Sequence, residues 1–196
     1  MCAEFPEKHL PSAFIEAVRY RGIIQDSNYQ LDAQRIRGPL DEQIRQAILF
    51  LKRQQTVSAT KETVRIEKPQ FSERAVFEAV VNAVAHRDYS IPASKIRFFM
   101  YDDRLELYSP GSLPNTVTVE SMPLRQATRN ELITSLLAEC PVPNTAGNVQ
   151  RAYYMEKRGD GVPIILRESE ALSGRKPEYR LIDDSELLLT VFAAAG

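Results

Sequence analysis

Apolar positions recur along this chain with two periods, and the switches between them mark its elements. Residues 17–24 (AVRYRGII) read as a strand; a turn follows around Asp26, Ser27 and Asn28, then a short strand through Tyr29 to Leu31. Pro39 opens a helix with Asp41 and Glu42 at its positive end. Ile44, Ala47, Ile48 and Leu51 repeat at helical spacing, and the pattern runs to about Gln54. Residues 63–66 (TVRI) alternate like a strand. Ser72 reads as the N-cap of the next helix, whose apolar stripe is Ala75, Val76, Ala79, Val80, Ala83 and Val84 and which ends near His86. Strands over 94–101 and 104–109 form a hairpin turned by Asp102 and Asp103, with Ile96, Phe98 and Met100 on one face. A helix over 128–139, a proline-rich loop over 140–148, an apolar run after Gly159 and Gly161, and a hairpin turned by Asp183 and Asp184 complete the reading.

Regular strand–helix alternation stops after His86, which argues against a doubly wound fold. It predicts an α+β two-layer sandwich, a mixed sheet with helices on one face. Composition fits a chain that buries a core: 196 residues, 43% hydrophobic and 26% charged. Charge changes the picture more. With 25 Lys and Arg against 26 Asp and Glu, the chain lacks the basic excess of a domain that grips nucleic acid through phosphates. Two cysteines, Cys2 and Cys140, make neither a disulfide framework nor a metal-ligand spacing. No secretory leader or membrane span is legible, so a reducing cytoplasm is the expected compartment and a membrane is not an expected partner.

Glu78, Asn82 and His86 stand four residues apart each, which puts all three on one helix face. A carboxylate, a carboxamide and an imidazole along a half-buried face need partners. Magnesium with phosphates is one such partner, since an amide oxygen ligates the ion and a carboxylate orients water. A solvent-facing polar row accounts for the spacing equally well. Gly159 and Gly161 likewise read, taken alone, as a plain loop turn. Asp102 and Asp103, and Asp183 and Asp184, read as turn residues rather than acid pairs.

The run Glu78-Ala-Val-Val-Asn82-Ala-Val-Ala-His86-Arg87-Asp88-Tyr89-Ser90 resembles the nucleotide-binding helix of a divergent branch of the GHKL (Bergerat-fold) ATPase superfamily, which also holds gyrase B, MutL and histidine kinases. Further matches follow in order: Ser109-Pro110-Gly111-Ser112-Leu113-Pro114, Arg129-Asn130-Glu131-Leu132, and Glu156-Lys157-Arg158-Gly159-Asp160-Gly161-Val162-Pro163. Upstream segments from about His9 resemble the join to an AlbA-like module in the same proteins.

The resemblance implies a Bergerat-type sandwich, with residues 1–56 as part of that module plus a connecting helix and 57–196 as the ATP-binding domain. It implies ATP and Mg²⁺ as cofactors, bound with or without hydrolysis. Glu78 would activate water as the catalytic residue, and Asn82 would ligate the metal. His86 and Arg87 would lie by the nucleotide or fix the helix end, Ser109 and Gly111 would flank the base, and Arg158, Gly159 and Gly161 would form the phosphate turn. A lid over 116–148 would order with nucleotide. Related proteins are described as transcriptional regulators related to RecG helicases, which implies DNA contact through domains absent from this chain, with a homodimer one arrangement. No phosphate loop of helicase type is present, so helicase activity of its own is not expected. Ser109 stands where the superfamily has an adenine-reading aspartate, and Ser112 where the branch has glycine. These departures keep open an alternative, a non-catalytic interaction or dimerisation module with a vestigial site. A third reading has Arg19, Arg21, Arg35 and Arg37 contact DNA.

Overall fold

The computed structural model describes residues 5–61, 65–114, 117–125, 127–143, 151–156 and 159–195. Among these, strands β1 (Ile15–Tyr20), β2 (Gln30–Ile36), β5 (Ile96–Met100), β6 (Arg104–Pro110), β7 (Glu178–Ile182) and β8 (Glu186–Phe192) form one six-stranded sheet. Its order is β2-β1-β5-β6-β8-β7, with β1 and β5 parallel and the other pairings antiparallel. Strands β3 (Val57–Lys61) and β4 (Arg65–Pro69) form a separate hairpin. Helices α1 (Leu40–Gln54), α2 (Glu73–His86), α3 (Glu131–Glu139) and α4 (Gly161–Ser173), with short 3-10 turns at Pro6–Lys8 and Ser27–Tyr29, are the other elements among the described residues. The fold is the α+β two-layer sandwich that the pattern predicts.

One core lies between the layers. Ile15 and Ala17 of β1, Phe98 and Met100 of β5, Leu105 and Leu107 of β6 and Val191 of β8 meet Ile44, Ile48 and Leu51 of α1 and Val76, Val80 and Val84 of α2. The sheet and this core draw on residues from both sides of position 56. The opposite sheet face buries Val18, Tyr20, Phe99 and Tyr101, with Tyr108 packed against them. Arginines cover part of this face: Arg104 lies over the Tyr101 ring and Arg97 over Tyr108.

Several elements depart from the predicted bounds. β1 starts earlier and stops at Tyr20, before Gly22 turns the chain at φ +79°. β2 extends to Ile36 as an edge strand whose exposed residues leave little alternation to read. Thr63 and Val64 lie outside the described residues, and β3 escaped the reading altogether. α3 starts at Glu131, three residues late, and the apolar run after Gly161 is the helix α4. The Asp183–Asp184 turn is as predicted, with both residues at positive φ (+48° and +51°), the geometry of a tight hairpin. At the other hairpin Asp102 does more than turn: it accepts from Arg19 and from the Gly22 amide, both at 2.6 Å. Arg19 is accordingly buried, which removes it from any DNA-facing surface.

Candidate functional site

α2 sits at the centre of the helical layer, against β6, α1 and α4. Ser72 caps it, its Oγ accepting from the Ala75 amide at 3.3 Å. Alanines and valines fill its sheet-facing stripe, so α2 lies close over β6 and carries its polar row along the flank. A cavity of about 520 Å³ opens there, and Glu78, Asn82 and His86 all line it, with Ser109, Gly111, Gly159 and Gly161. Apolar side chains such as Leu107, Met122, Met155 and Leu189 make up much of the remaining wall.

Two predicted residues are not among these. Arg87 does not appear among the lining residues; it is buried, donates to the carbonyls of Ser12 and Ser94, and lies over the Tyr89 ring. It thus anchors the end of α2 to the chain before β1 and before β5. Arg158 lies outside the described residues, as do Thr116, Gln126 and residues 144–148 of the expected lid.

The N-terminus of α4 forms the wall opposite Glu78 and Asn82. A Cβ at Gly161 would stand 3.0 Å from Asn82 Nδ2 and 3.4 Å from both Asn82 Oδ1 and Glu78 Oε2. Glycine is what permits this approach. Asp160, at the N-cap position, makes no side-chain capping bond among the described residues, so first-turn amides of α4 are left for an acceptor.

Electrostatics sharpen the wall. Glu78 is 5% exposed, and burial raises its carboxyl above the usual range, although Arg151 draws it back. Arg151 was not singled out by sequence reasoning. Its Nη2 lies 2.5 Å from Glu78 Oε1 and its Nη1 2.7 Å from Glu156 Oε1. Nothing in the spacing signals this pair, because it joins α2 to the segment before α4. Burial lowers the His86 pKa, helped by Arg129, so the imidazole is neutral near pH 7; its Nδ1 is buried with no partner among the described residues. Ser109 Oγ donates to the Ala83 carbonyl at 3.1 Å, which fixes its proton and leaves its lone pairs as acceptors.

The motif residues interlock beyond the cavity. Asp88 accepts from Ser90 Oγ at 2.6 Å and from Arg129 Nη1 at 2.7 Å; the Ser90 bonds first, then Arg129, hold its carboxyl below the usual range despite an opposing effect of burial. Arg129 also donates to the Ser112 carbonyl, and the Asp88 amide donates to Pro110 O at 2.7 Å. Among the described residues no cluster of three or more His, Cys, Asp or Glu gathers to hold a metal, and no helix is long and apolar enough to cross a membrane.

Comparison with known proteins finds that the family described as "Putative ATP-dependent DNA helicase recG C-terminal" matches residues 93–191, half of the chain. The match begins after α2, so Glu78, Asn82 and His86 lie outside it. Among solved structures, the chain is similar to the DIP2311 protein of Corynebacterium diphtheriae, with 21% identity and a TM-score of 0.69. The likeness covers 93% of this chain and 34% of that one, so this chain spans about a third of its length. At that identity the likeness speaks to the fold. No curated protein matches.

Proposed function

We propose that this chain, which belongs to the ATPase-like family described as putative ATP-dependent DNA helicase RecG C-terminal, binds Mg-ATP in the α2–α4 cavity as a regulatory module of Bergerat type. The observation that carries this reading is the meeting of Glu78 and Asn82 with the open N-terminus of α4 at Gly161, where an added Cβ would stand only 3.0–3.4 Å from their side-chain atoms.

The residues present fit such a ligand. Phosphate oxygens accept from first-turn amides of α4, and the positive end of that helix favours their charge. The glycine turn at Gly159, at φ +71°, lets the backbone follow the phosphates. Magnesium, brought with the nucleotide, would supply charge neutralisation at the phosphates, and Asn82, through Oδ1, is the residue that would hold it. Glu78, made more basic by burial, would accept a proton from water beside the terminal phosphate. Ser109 offers an acceptor to an exocyclic amine of the base, Gly111 keeps the adjoining wall low, and neutral His86 presents Nδ1 without the cost of a buried charge. Arg87 acts from outside, holding the end of α2.

In a longer regulator, nucleotide state at this site would pass to other domains, and DNA contact is assigned to those domains because this chain carries no basic excess. A thermal-shift series tests the site. Mg-ATP should raise the melting temperature, a chelator should remove most of the rise, and Gly161→Ala should blunt it. Melting curves unmoved by millimolar Mg-ATP would favour the interaction-module reading instead.

A further inference from the structure

Arg151 is 4% exposed at its side chain and sits between two carboxylates, Glu78 on α2 and Glu156 on the segment leading to α4. Both carboxylates line the cavity, as does Arg151 itself. The guanidinium is not fully satisfied there. Its Nε is buried with no hydrogen-bond partner among the described residues, and Glu78 Oε1 touches Nη2 without an aligned hydrogen bond. A buried arginine with spare donors at a cavity wall suits an acceptor with several oxygens, and a phosphate presents them in matching geometry.

Among the described residues of the wall, Glu78, Glu156 and Asp160 stand beside Arg125 and Arg151, so an arriving polyphosphate competes with carboxylates for the cations. Position decides which phosphate wins. A carboxylate that activates the attacking water must face the terminal phosphate, so the guanidinium in contact with that carboxylate reaches the terminal phosphate and not the one next to the ribose.

We infer that Arg151 is a specificity-determining residue that distinguishes nucleoside triphosphates from diphosphates, exchanging its contact with Glu78 for the terminal phosphate and so releasing the Glu78 carboxylate to water. This rests on the nucleotide site proposed above. Arg151 then has two alternative anionic partners, and the choice between them couples phosphate number to the state of Glu78.

Calorimetric titration of the chain with Mg-ATP and Mg-ADP tests it, using wild type, Arg151→Gln, Arg151→Lys and Glu156→Gln. Wild type should favour the triphosphate. Arg151→Gln should lose about ten- to a hundredfold of triphosphate affinity while diphosphate affinity stays within about twofold. Arg151→Lys should keep part of the preference, since charge remains but the fork is gone. Glu156→Gln, which frees the guanidinium on one side, should tighten the triphosphate, and it carries the test should Arg151→Gln fail to fold. An unchanged triphosphate-to-diphosphate ratio in these variants, or an equal loss for both nucleotides, would show Arg151 to be structural and overturn the inference alone. A wild type that binds neither nucleotide overturns the site and the inference together.

Discussion

Asn130 donates from Nδ2 to the carbonyls of both Ala85, at 2.9 Å, and Arg87, at 2.8 Å, so the residue before α3 caps the end of α2. Two carbonyls at the C-terminal end of α2 are thereby satisfied by one side chain. Asn130→Ala should cost about 1–3 kcal/mol of stability, read by urea denaturation. Asn130→Asp should fare no better, because a carboxylate cannot donate.

Gly111 and Asp88 pack closer than any side chain allows. Gly111 lies at φ +118°, and a Cβ there would meet Asp88 Cβ at 2.8 Å and the Asp88 amide at 3.2 Å. Gly111→Ala should therefore destabilise the fold by roughly 1–3 kcal/mol through backbone strain and displacement of the Asp88–Arg129 contact. Thermal denaturation checks this, and a melting temperature equal to wild type would mean the junction yields freely.

Much of this architecture is legible in the chain itself. α1 and α2 declare themselves through long apolar stripes preceded by a proline or a serine cap, and the β5–β6 and β7–β8 hairpins through paired acidic turns. α4 hides because Gly161 and Pro163 stand in its first turn, where they read as loop. β2 hides because an edge strand exposes most of its residues. At the site, Glu78, Asn82 and His86 are legible because helical spacing alone aligns them. Arg151 is not, and Arg129 and Asn130 stand out only as a motif match, since their partnerships arise only when α3 and the chain before α4 fold back onto α2. Arg87 illustrates a different case: its place in a motif left open a position by the nucleotide or at the helix end, and its bonds to Ser12 and Ser94 hold the helix end.

His86 should make stability fall in mild acid. Burial, with Arg129 adding to it, puts the folded pKa below the ordinary 6.5, so between those two values the unfolded chain binds more protons than the folded one. Stability from the neutral imidazole is thus fully present above about 6.5 and is lost as pH falls below it, until the folded form protonates as well. Urea titrations at pH 7.5 and 5.5 should show a smaller difference for His86→Gln than for wild type. Equal differences would mean His86 stays accessible to protons in the folded state.

Glu78→Gln should separate binding from chemistry. It removes the proposed base and neutralises a carboxylate held by Arg151, so Mg-ATP affinity should be kept or raised. Any phosphate release by the wild type should fall by about a hundredfold or more. A variant that releases phosphate at the wild-type rate would strip Glu78 of its role.

The most direct measurement is calorimetric titration of Mg-ATP into wild type and Asn82→Ala. The account predicts one nucleotide per chain for wild type, and an affinity about tenfold or more weaker for Asn82→Ala that no longer responds to magnesium. No heat with wild type at millimolar nucleotide, or equal affinities for the two proteins, would contradict it.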